Sequence, residues 1–437
     1  MPRTKALAQE LPFIFFIGKV ASPEKVLAQL RSHTEGARYR YGILYHKKSL
    51  TDHEQARYNE FFDVALEANF NNPISIAQTL APYYDDIVGV TCRSEAKIPD
   101  FAKIVPYFPY LKTPTSESLM WSVDKVKMRR RFHAYNPKIT PRYKIAKDAT
   151  KKTLDEIEQK VGFPLVIKPS GLAQSLLVTI CYHQEELETN LKKVFRKIKS
   201  LHKNYKDADD LPEVIVEQFV DGDMYSIDGY VNAKGKIYWC PPVHITTGKS
   251  IGFDDFFGYQ QITPTTLTPS SIDELKETTL DGVHALGLRS STFHAELIKN
   301  NKGWKIVEIG PRVGGFRDTM YHLSYGIHHG LNDVLIRIPK TPILPKKTLG
   351  HTAVLKFFAP KEGIITTLTG IKKARELDSF YHIDVNKKVG DRASFAKNGG
   401  KSVFNITFHN KDRSKLLADI RRLEKMIKIE TKKTTKK

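Results

Sequence analysis

The fold of this chain is decided by the stretch Thr292-Phe-His-Ala-Glu296-Leu-Ile-Lys-Asn-Asn-Lys-Gly303-Trp-Lys-Ile-Val-Glu308-Ile-Gly-Pro-Arg312. Two apolar-alternating runs flank the turn residues Asn300 and Gly303, so the pattern predicts a β-hairpin. Glu296 and Glu308 then lie on opposite arms of the hairpin, each inside an otherwise apolar strand.

The two acids of this hairpin require a partner. A carboxylate inside an apolar strand is costly unless it is neutralised, and two on facing strands repel unless a cation lies between them. Mg²⁺ suits this arrangement, because proteins usually hold it with one or two carboxylates while nucleotide phosphates supply further ligands. The alternative is an exposed hairpin with two solvated acids, and the hairpin alone leaves both interpretations open.

Length and composition limit the class of protein. A chain of 437 residues is too long for one core, so two or three domains are expected. The apolar run from Leu11 to Ile17 is too short to span a bilayer and lacks the flanks of a signal peptide. Three widely separated cysteines fit a reducing compartment. The protein is therefore predicted to be cytoplasmic, without a membrane partner.

The charge balance favours anionic partners. Lysine and arginine number 69 against 48 acids, a formal charge of +21. Part of this excess is local, with eleven basic residues between Lys125 and Lys152 and a terminal segment, 431–437, that is predicted to be a disordered basic tail. No recognisable nucleic-acid module accompanies it, so nucleic acid is not the expected partner. Binding of nucleic acid through these segments would weaken steeply with salt.

The order of patterns along the chain indicates several domains. An alternation of strands and helices predicts a small parallel α/β domain over residues 1–112. A proline-marked linker leads to one helix over 116–135, followed by mixed α and β segments. Residues 241–268 are irregular, rich in Pro, Gly and aromatics, and too long for a plain connector, which is typical of a lid or binding loop. A last unit follows residue 345.

A lysine at the end of a buried strand suggests an anion site. Lys168 closes the strand 164–169 and is expected to point out of the strand end. The next residues form a small-residue loop, whose N–H groups could cover phosphates; Ser170, Gly171 and Ser175 are the candidates. The loop does not have the Walker A pattern. The alternative is an edge lysine that extends to water.

An acid in a second apolar strand also needs a partner. Glu217 lies within the run 214–220, and the amino group of an adenine would satisfy it. Phe219 or Val220 could supply an apolar wall for the ring. The alternative is a strand with one exposed acid.

Taken in order, these elements resemble the ATP-grasp superfamily. In that resemblance Asp124-Lys125 matches the first nucleotide lysine, Lys168 matches the second, and Glu217 to Val220 matches the segment between the lobes that holds adenine. Glu296 and Glu308 resemble the two magnesium glutamates, with the spacing of the biotin carboxylase type.

The resemblance implies an architecture of the α/β class. The first 112 residues fit the pre-ATP-grasp α/β domain, residues 119–340 the two-lobed ATP-grasp domain with α+β lobes, and residues 345–430 a small C-terminal α+β lobe like that of amino-acid ligases and carboxylases.

The resemblance also implies a reaction. A carboxylate is phosphorylated by ATP with Mg²⁺, and an amine attacks the resulting acyl phosphate, so the expected activity is that of a carboxylate–amine ligase acting on an amino acid or small acid. Arg312 and Lys168 are the implied catalytic residues. Gly314 and Gly315 would let the backbone approach a substrate closely. Arg317 is either a receptor for a substrate carboxylate or an ordinary surface arginine.

Two positions depart from the family pattern. Gly310 stands where the family often has the asparagine of a second Mg²⁺, so one or two ions remain possible. Met224 stands where an acid usually grips the ribose, and Asp223 is adjacent but on the opposite strand face. These departures keep two alternatives open: a nucleotide-binding protein with degenerate or no catalysis, and a carboxylase-type enzyme. The substrates and a homo-oligomeric state also stay open.

Overall fold

The computed structural model describes residues 11–170, 177–202, 213–253 and 256–433. The first elements are β1 (Phe13–Ile17), α1 (Pro23–Arg31), β2 (Arg40–His46), α2 (Asp52–Phe61), β3 (Val64–Ala68), α3 (Pro73–Leu80), β4 (Ile87–Thr91) and α4 (Ile98–Ile104). The four strands form a parallel sheet in the order β3-β2-β1-β4, and β1 and β2 are almost wholly buried. Burial of both faces explains the continuous apolar runs. The predicted N-terminal parallel α/β unit is confirmed.

Two helices form the linker, where the sequence predicted one. They are α5 (Ser116–Val123) and α6 (Lys125–Tyr135). Asp124 between them has an extended conformation, and its carboxylate accepts the N–H groups of Val126 and Lys127 at 2.9 and 3.1 Å. A side-chain cap of this kind ends one helix and begins the next at a defined angle.

A small antiparallel sheet follows the linker. The elements of this segment are β5 (Tyr143–Ala146), α7 (Lys151–Lys160), β6 (Leu165–Pro169), β7 (Thr179–Cys181), α8 (Gln184–His202) and β8 (Val214–Gln218). The four strands form the sheet in the order β5-β8-β6-β7. One face of this sheet packs against α7 and α8 around Leu165, Leu191 and Val216.

The next segment begins a second, larger sheet. Its elements are β9 (Asp223–Val231), β10 (Ile237–Trp239), β11 (Val243–Thr247), β12 (Gly258–Thr263), α9 (Pro269–Ala285), β13 (Ser291–Asn300), β14 (Gly303–Gly310), α10 (Arg317–Tyr325) and α11 (His329–Arg337). Residues 241–268 were predicted to be irregular, and this is wrong, because β11 and β12 pair as antiparallel neighbours within them.

The last unit contributes three strands to the same large sheet. It contains β15 (His351–Phe357), β16 (Gly363–Thr369), α12 (Ile371–Ala374), β17 (Phe380–Val385), β18 (Arg392–Ala393), β19 (Phe404–Asn410), α13 (Arg413–Met426) and β20 (Lys428–Lys432). The large sheet runs β14-β13-β9-β11-β12-β15-β19-β17, with β10 beside β9. The sheet therefore crosses the predicted boundary near residue 345, and the domain limits stay a prediction.

Two further features complete the fold. Thr431 and Lys432 were predicted to lie in a disordered tail, but they belong to β20 and pair with β16; residues 434–437 lie outside the described residues. The N-terminal unit packs on α11, where Thr91 donates to Asp333 at 2.7 Å and Leu331 joins the core around β1 and β2. Within the described residues, no helix has the length and apolar character needed to cross a membrane.

Candidate active site

The hairpin β13–β14 brings the two predicted glutamates together. Glu296 lies directly opposite Glu308 in the antiparallel register, and a register shift follows Glu296. Their side chains are 25% and 29% exposed, so both are set in the sheet yet remain partly open to solvent, and the side of the sheet on which they lie is called the cleft below. The predicted hairpin is confirmed, and two carboxylates face each other across it.

The electrostatics of this pair are asymmetric. Burial raises the pKa of Glu308, and the neighbouring Glu296 and Glu95 raise it further against the opposing effects of Lys125 and Arg312. Burial also acts to raise the pKa of Glu296, but the His294 imidazolium and two arginines outweigh it and lower that pKa. The Nζ atom of Lys125 lies 3.7 Å from Glu308. The pair thus retains negative charge that the described side chains compensate only in part.

These residues fit Mg²⁺. Both offer carboxylate oxygens, which this hard cation prefers. Among residues 11–170, 177–202, 213–253 and 256–433, no cluster of three or more His, Cys, Asp or Glu side chains could hold a metal. A cation at this hairpin would therefore need ligands from a bound nucleotide or water in addition to the two glutamates.

A buried histidine and aspartate, not predicted from the sequence, lie beneath the pair. Asp228 on β9 is fully buried and accepts from His294 at 2.8 Å, His329 at 3.0 Å and the N–H of Gly314 at 3.0 Å. Burial lowers the pKa of His294, but Asp228 outweighs it and raises the value to about 9. The other ring nitrogen of His294 lies 3.4 Å from Glu296. His294 thus contacts both Asp228 and Glu296, and its polar character inside an apolar strand was the signal available in the sequence.

The described residues that were predicted to hold the phosphates lie on the linker helix α6 and at the end of β6. Lys125 begins α6, and the hydroxyl of Ser170 donates to Asp124 at 2.8 Å, which ties the phosphate-loop segment to the helix start. Lys168 donates to Glu217 at 2.7 Å and is mostly covered. Gly171 and Ser175, predicted for the same loop, lie outside the described residues.

Glu217 is satisfied by the protein itself. It is 1% exposed and accepts from Arg129 at 2.7 and 3.2 Å as well as from Lys168. Burial acts to raise the pKa of Glu217, but the two cations outweigh it and hold the value at about 2. The predicted bond from this carboxylate to an adenine amino group is therefore not supported. Arg129 went unpredicted, although it shares the apolar face of α6 with Val126 and Phe132.

The segment after Glu217 connects β8 of the small antiparallel sheet to β9 of the large sheet. Phe219 and Val220 are half-buried, and the N–H of Phe219 donates to Pro164 at 3.0 Å. Asp223 is exposed at the start of β9. Lys249, in the β11–β12 connection, lies 4.6 Å from the ring centre of Phe219. The segment predicted as a lid thus reaches the predicted adenine wall, although as part of a hairpin.

Arg312 is tied to the N-terminal unit. Its guanidinium donates to Glu95 at 2.9 Å through Nε, again through Nη2, and to the carbonyl of Val313 at 2.9 Å. Glu95 follows β4 and was not predicted as a site residue, because 217 positions separate the partners. The parallel α/β unit therefore supplies an acid to the site.

The glycine pair and Arg317 differ in accessibility. A Cβ atom added to Gly314 would lie 2.5 Å from His294 and 2.8 Å from Asp228, so packing requires glycine at this position. A Cβ atom added to Gly315 would have no neighbouring described atom within 4 Å. Arg317 is 1% exposed and donates to Gln261 at 2.5 Å, Ser226 at 2.7 Å and Gly315 at 3.2 Å. Neither predicted interpretation of Arg317, as substrate receptor or as surface arginine, fits this buried position.

Comparison with known proteins gives both sequence and fold matches. Residues 161–320 match the family model described as the ATP-grasp domain. An uncharacterized protein, y4rH, of Sinorhizobium fredii (strain NBRC 101917 / NGR234) is 24% identical over 319 residues, 72% of this chain and 62% of that protein. Alanine–anticapsin ligase of Bacillus amyloliquefaciens is 27% identical over 208 residues, 44% of this chain and 42% of that enzyme. The chain thus covers less than two thirds of the length of these relatives.

Solved structures match over nearly the whole chain. The L-amino acid ligase from Bacillus licheniformis superposes with a TM-score of 0.73 at 16% identity, covering 96% of this chain and 99% of that one. The N5-carboxyaminoimidazole ribonucleotide synthetase from Thermotoga maritima gives 0.65 at 17% identity, covering 96% and 100%. At these identities the likeness shows the fold alone.

Proposed function

We propose that this chain, whose residues 161–320 match the ATP-grasp domain, is an ATP-dependent carboxylate–amine ligase. The observation that carries the proposal is the facing pair Glu296 and Glu308, open to the cleft and flanked by Lys125 and Arg312. Acids left partly uncompensated beside two cations suit a site that receives a metal ion together with an anionic substrate.

Mg²⁺ is part of the proposal. When bound, it would neutralise charge on the terminal phosphates of ATP, with Glu296 and Glu308 as its protein ligands. His294 would hold Glu296 from behind, since its two ring nitrogens lie 2.8 Å from Asp228 and 3.4 Å from Glu296. Gly310 offers no side-chain oxygen, so a single ion is the simpler expectation.

The nucleotide would lie between the two sheets. Ser170 is bonded to Asp124, the neighbour of Lys125, and lies two residues after Lys168. We assign the phosphates to Lys125, Lys168 and Ser170, together with Gly171 and Ser175, which lie outside the described residues. Because the Glu217 carboxylate is occupied by Arg129 and Lys168, adenine recognition is assigned to the main chain of residues 217–220. The walls of that pocket would be Phe219 and Val220. Asp223 is the exposed acid nearest to where a ribose would lie.

The chemistry proceeds in two displacements. An oxygen of the substrate carboxylate attacks the γ-phosphorus, and ADP leaves; the amine then attacks the acyl carbon, phosphate leaves and the nitrogen loses a proton. Arg312 is positioned to stabilise the charge on the transferring phosphoryl group and acyl oxygen. In the present arrangement Glu95 occupies Arg312, so the substrate must share or displace that acid.

The substrate class rests on the relatives. One solved neighbour is named an L-amino acid ligase and one curated relative an alanine–anticapsin ligase, which supports an amino acid as one substrate. A cytoplasmic location belongs to the same proposal, supported by three free, buried cysteines at positions 92, 181 and 240.

The test is release of ADP from Mg·ATP with a panel of amino acids and small carboxylic acids. A Glu308→Gln variant should lower turnover about 100- to 1,000-fold, because it removes preorganised charge at the site of phosphoryl transfer. Glu60→Gln, an exposed acid on α2, serves as the matched control and should be unchanged. If the protein binds nucleotide but releases no ADP with any member of the panel, the ligase proposal is wrong and the alternative, a non-catalytic ATP-binding protein, takes its place.

A further inference from the structure

One lysine of the large sheet, Lys356, forms no ion pair with any carboxylate in the part of the chain that the structure describes. Lys356 lies on β15, two residues beyond Val354, which pairs with Gln261 on β12. Because side chains alternate along a strand, Lys356 projects from the same face as Gln261, the side chain that accepts from Arg317.

The same face carries the glutamates. Successive cross-strand pairs lead from β12 to β13: Gln261↔Ile245, Ile245↔Met224 and Met224↔Ile298. Glu296 lies two residues from Ile298 along β13, so it projects on the same side as Lys356. Lys356 is therefore a residue of the cleft, supplied by the last unit of the chain.

The surroundings of Lys356 are unusual for a lysine. It is half-buried, and its Nζ lies 5.2 Å from the ring centre of Phe316. Among the residues that the structure describes, no carboxylate lies within ion-pair distance of it. Burial lowers the pKa of Lys356, Glu296 opposes this change and Arg317 adds to it. A partly desolvated ammonium without a counter-ion is costly, which is typical of a group that awaits an anionic ligand.

The loop that covers Lys356 is itself strained. Phe316 follows Gly315 and has φ 62°, a left-handed conformation that is rare for an aromatic residue. Strain of this kind persists only where the surroundings enforce it, and it concentrates at binding sites. The ring is thus held over the lysine at the end of the loop that begins with Arg312.

The other cations near the glutamate pair are enclosed by protein side chains or are already assigned to the phosphates and the transferring phosphoryl group, as Lys125 beside Glu308 is. Arg317 is bonded to Gln261 and Ser226, and Lys168 to Glu217. Arg312 is bonded to Glu95. The role of carboxylate receptor, predicted from the sequence for Arg317, therefore falls to Lys356.

We propose that Lys356 binds the free carboxylate of the amine substrate, so that the acceptor is an amino acid and not a simple amine. This inference rests on the proposed ligase function. The carboxylate that is activated must lie beside the glutamate pair and Arg312, at the β13–β14 end of the sheet. Lys356 projects from β15, and its Nζ lies 5.2 Å from the ring centre of Phe316, four residues after Arg312, so an anion at Lys356 would lie beside the reacting centre without occupying the position at Arg312. A second carboxylate, kept intact through the reaction, fits that position, because only one carbon separates the carboxylate of an α-amino acid from the amine that attacks the acyl phosphate.

Three variants test the assignment. Lys356→Met retains the length of the side chain and removes the charge, Lys356→Arg restores a cation, and Lys361→Met is an exposed control on the same unit. Acceptors are L-amino acids, each paired with its carboxamide, and hydroxylamine as a nucleophile without a carboxylate. The amide product and the released ADP are both measured. Formation of hydroxamate from hydroxylamine reports only the activation of the donor, the substrate whose carboxylate is phosphorylated.

The wild-type protein should prefer each amino acid over its carboxamide. Lys356→Met should raise the KM for amino-acid acceptors about 10- to 100-fold and abolish this preference, since a charge-assisted bond is lost. Hydroxamate formation should stay within about threefold, which also shows that the variant is folded. Lys356→Arg should recover part of the preference.

Two outcomes overturn the assignment while leaving the ligase function intact. In one, the Lys356→Met variant keeps the preference for amino acids over carboxamides. In the other, it loses hydroxamate formation as strongly as amide formation, which would place Lys356 in activation of the donor. Failure of the wild-type protein to release ADP or form hydroxamate with any donor overturns the ligase function, and this inference with it.

Discussion

Glu217 and Glu308 look alike in the sequence but differ in the folded protein. Each is an acid inside an apolar strand. Glu217 is 1% exposed and bonded to Arg129 and Lys168, whereas Glu308 is 29% exposed, faces Glu296 and lies 3.7 Å from Lys125. Despite burial, the cations lower the pKa of Glu217 to about 2, while burial and the neighbouring acids raise the pKa of Glu308.

The difference separates an acid that holds the structure together from one that the proposed function assigns to a ligand. A buried carboxylate with three charged hydrogen bonds is expensive to disturb, because removing one partner leaves charge uncompensated. A carboxylate that faces another acid contributes little to stability, and under the proposed function its place in the strand is explained by the ion that it would bind. The following predictions test this contrast, from the largest expected effect to the smallest.

Removal of the partner of Glu217 should destabilise the protein most. Arg129→Met leaves the buried carboxylate with Lys168 alone, and we expect the free energy of unfolding to fall by about 3–5 kcal/mol. Glu308→Gln, the counterpart at the open pair, should change it by less than about 1 kcal/mol, because a like-charge repulsion is relieved. Urea denaturation of both variants measures the difference, and equal losses would remove the distinction between the two acids.

The stabilisation by Glu217 should depend on acid pH. Its folded pKa, about 2, lies below the ordinary value of 4.5, so the contribution is fully present above pH 4.5 and is lost as the pH falls toward 2. The gap in unfolding free energy between the wild type and Glu217→Gln should narrow across this window by about 3 kcal/mol. Urea titrations at several pH values follow it, and a gap that stays constant with pH contradicts the ion-pair account.

Ligand-induced stabilisation should report on the open pair. Mg²⁺ with ADP at about a hundredfold excess over its Kd should stabilise the wild type by about 2.7 kcal/mol. Glu296→Gln should lose the part of this effect that depends on Mg²⁺, while Glu60→Gln should keep it. Thermal unfolding with ADP, with and without Mg²⁺, separates the two parts. Full retention by Glu296→Gln would exclude it as a metal ligand.

The contact between Glu95 and Arg312 should matter least for stability. Both side chains are partly exposed, at 30% and 18%, and exposed ion pairs contribute about 0–1 kcal/mol. Glu95→Gln should therefore shift the unfolding free energy by less than about 1 kcal/mol, as measured in urea. A loss near that of Arg129→Met would mean that Glu95 belongs with Glu217 as a structural acid.

Local pattern accounts for the parts of the site that were predicted. The alternation around the turn at Asn300 and Gly303 sets the register that places Glu296 beside Glu308. Burial of both sheet faces explains the N-terminal parallel unit. In residues 241–268, prolines, glycines and aromatics masked the period of β11 and β12, so a hairpin was mistaken for a loop.

Contacts between distant segments account for the parts that were missed. Arg129 meets Glu217 across 88 positions, and Glu95 meets Arg312 across 217. No local period encodes such partners, since they arise when separate units pack. The same reason explains Arg317, whose sequence neighbours gave no sign that Ser226 and Gln261 would enclose it.

By itself, the amino-acid sequence determined the parallel strands of the N-terminal unit and the two acids that the hairpin β13–β14 sets side by side, because apolar runs, periods of two residues and turn chemistry act over a few positions. Only the tertiary structure decided which charges are satisfied and which remain open. Burial and counter-ions come from elements that are far apart in the chain, and they alone distinguish Glu217 from Glu308.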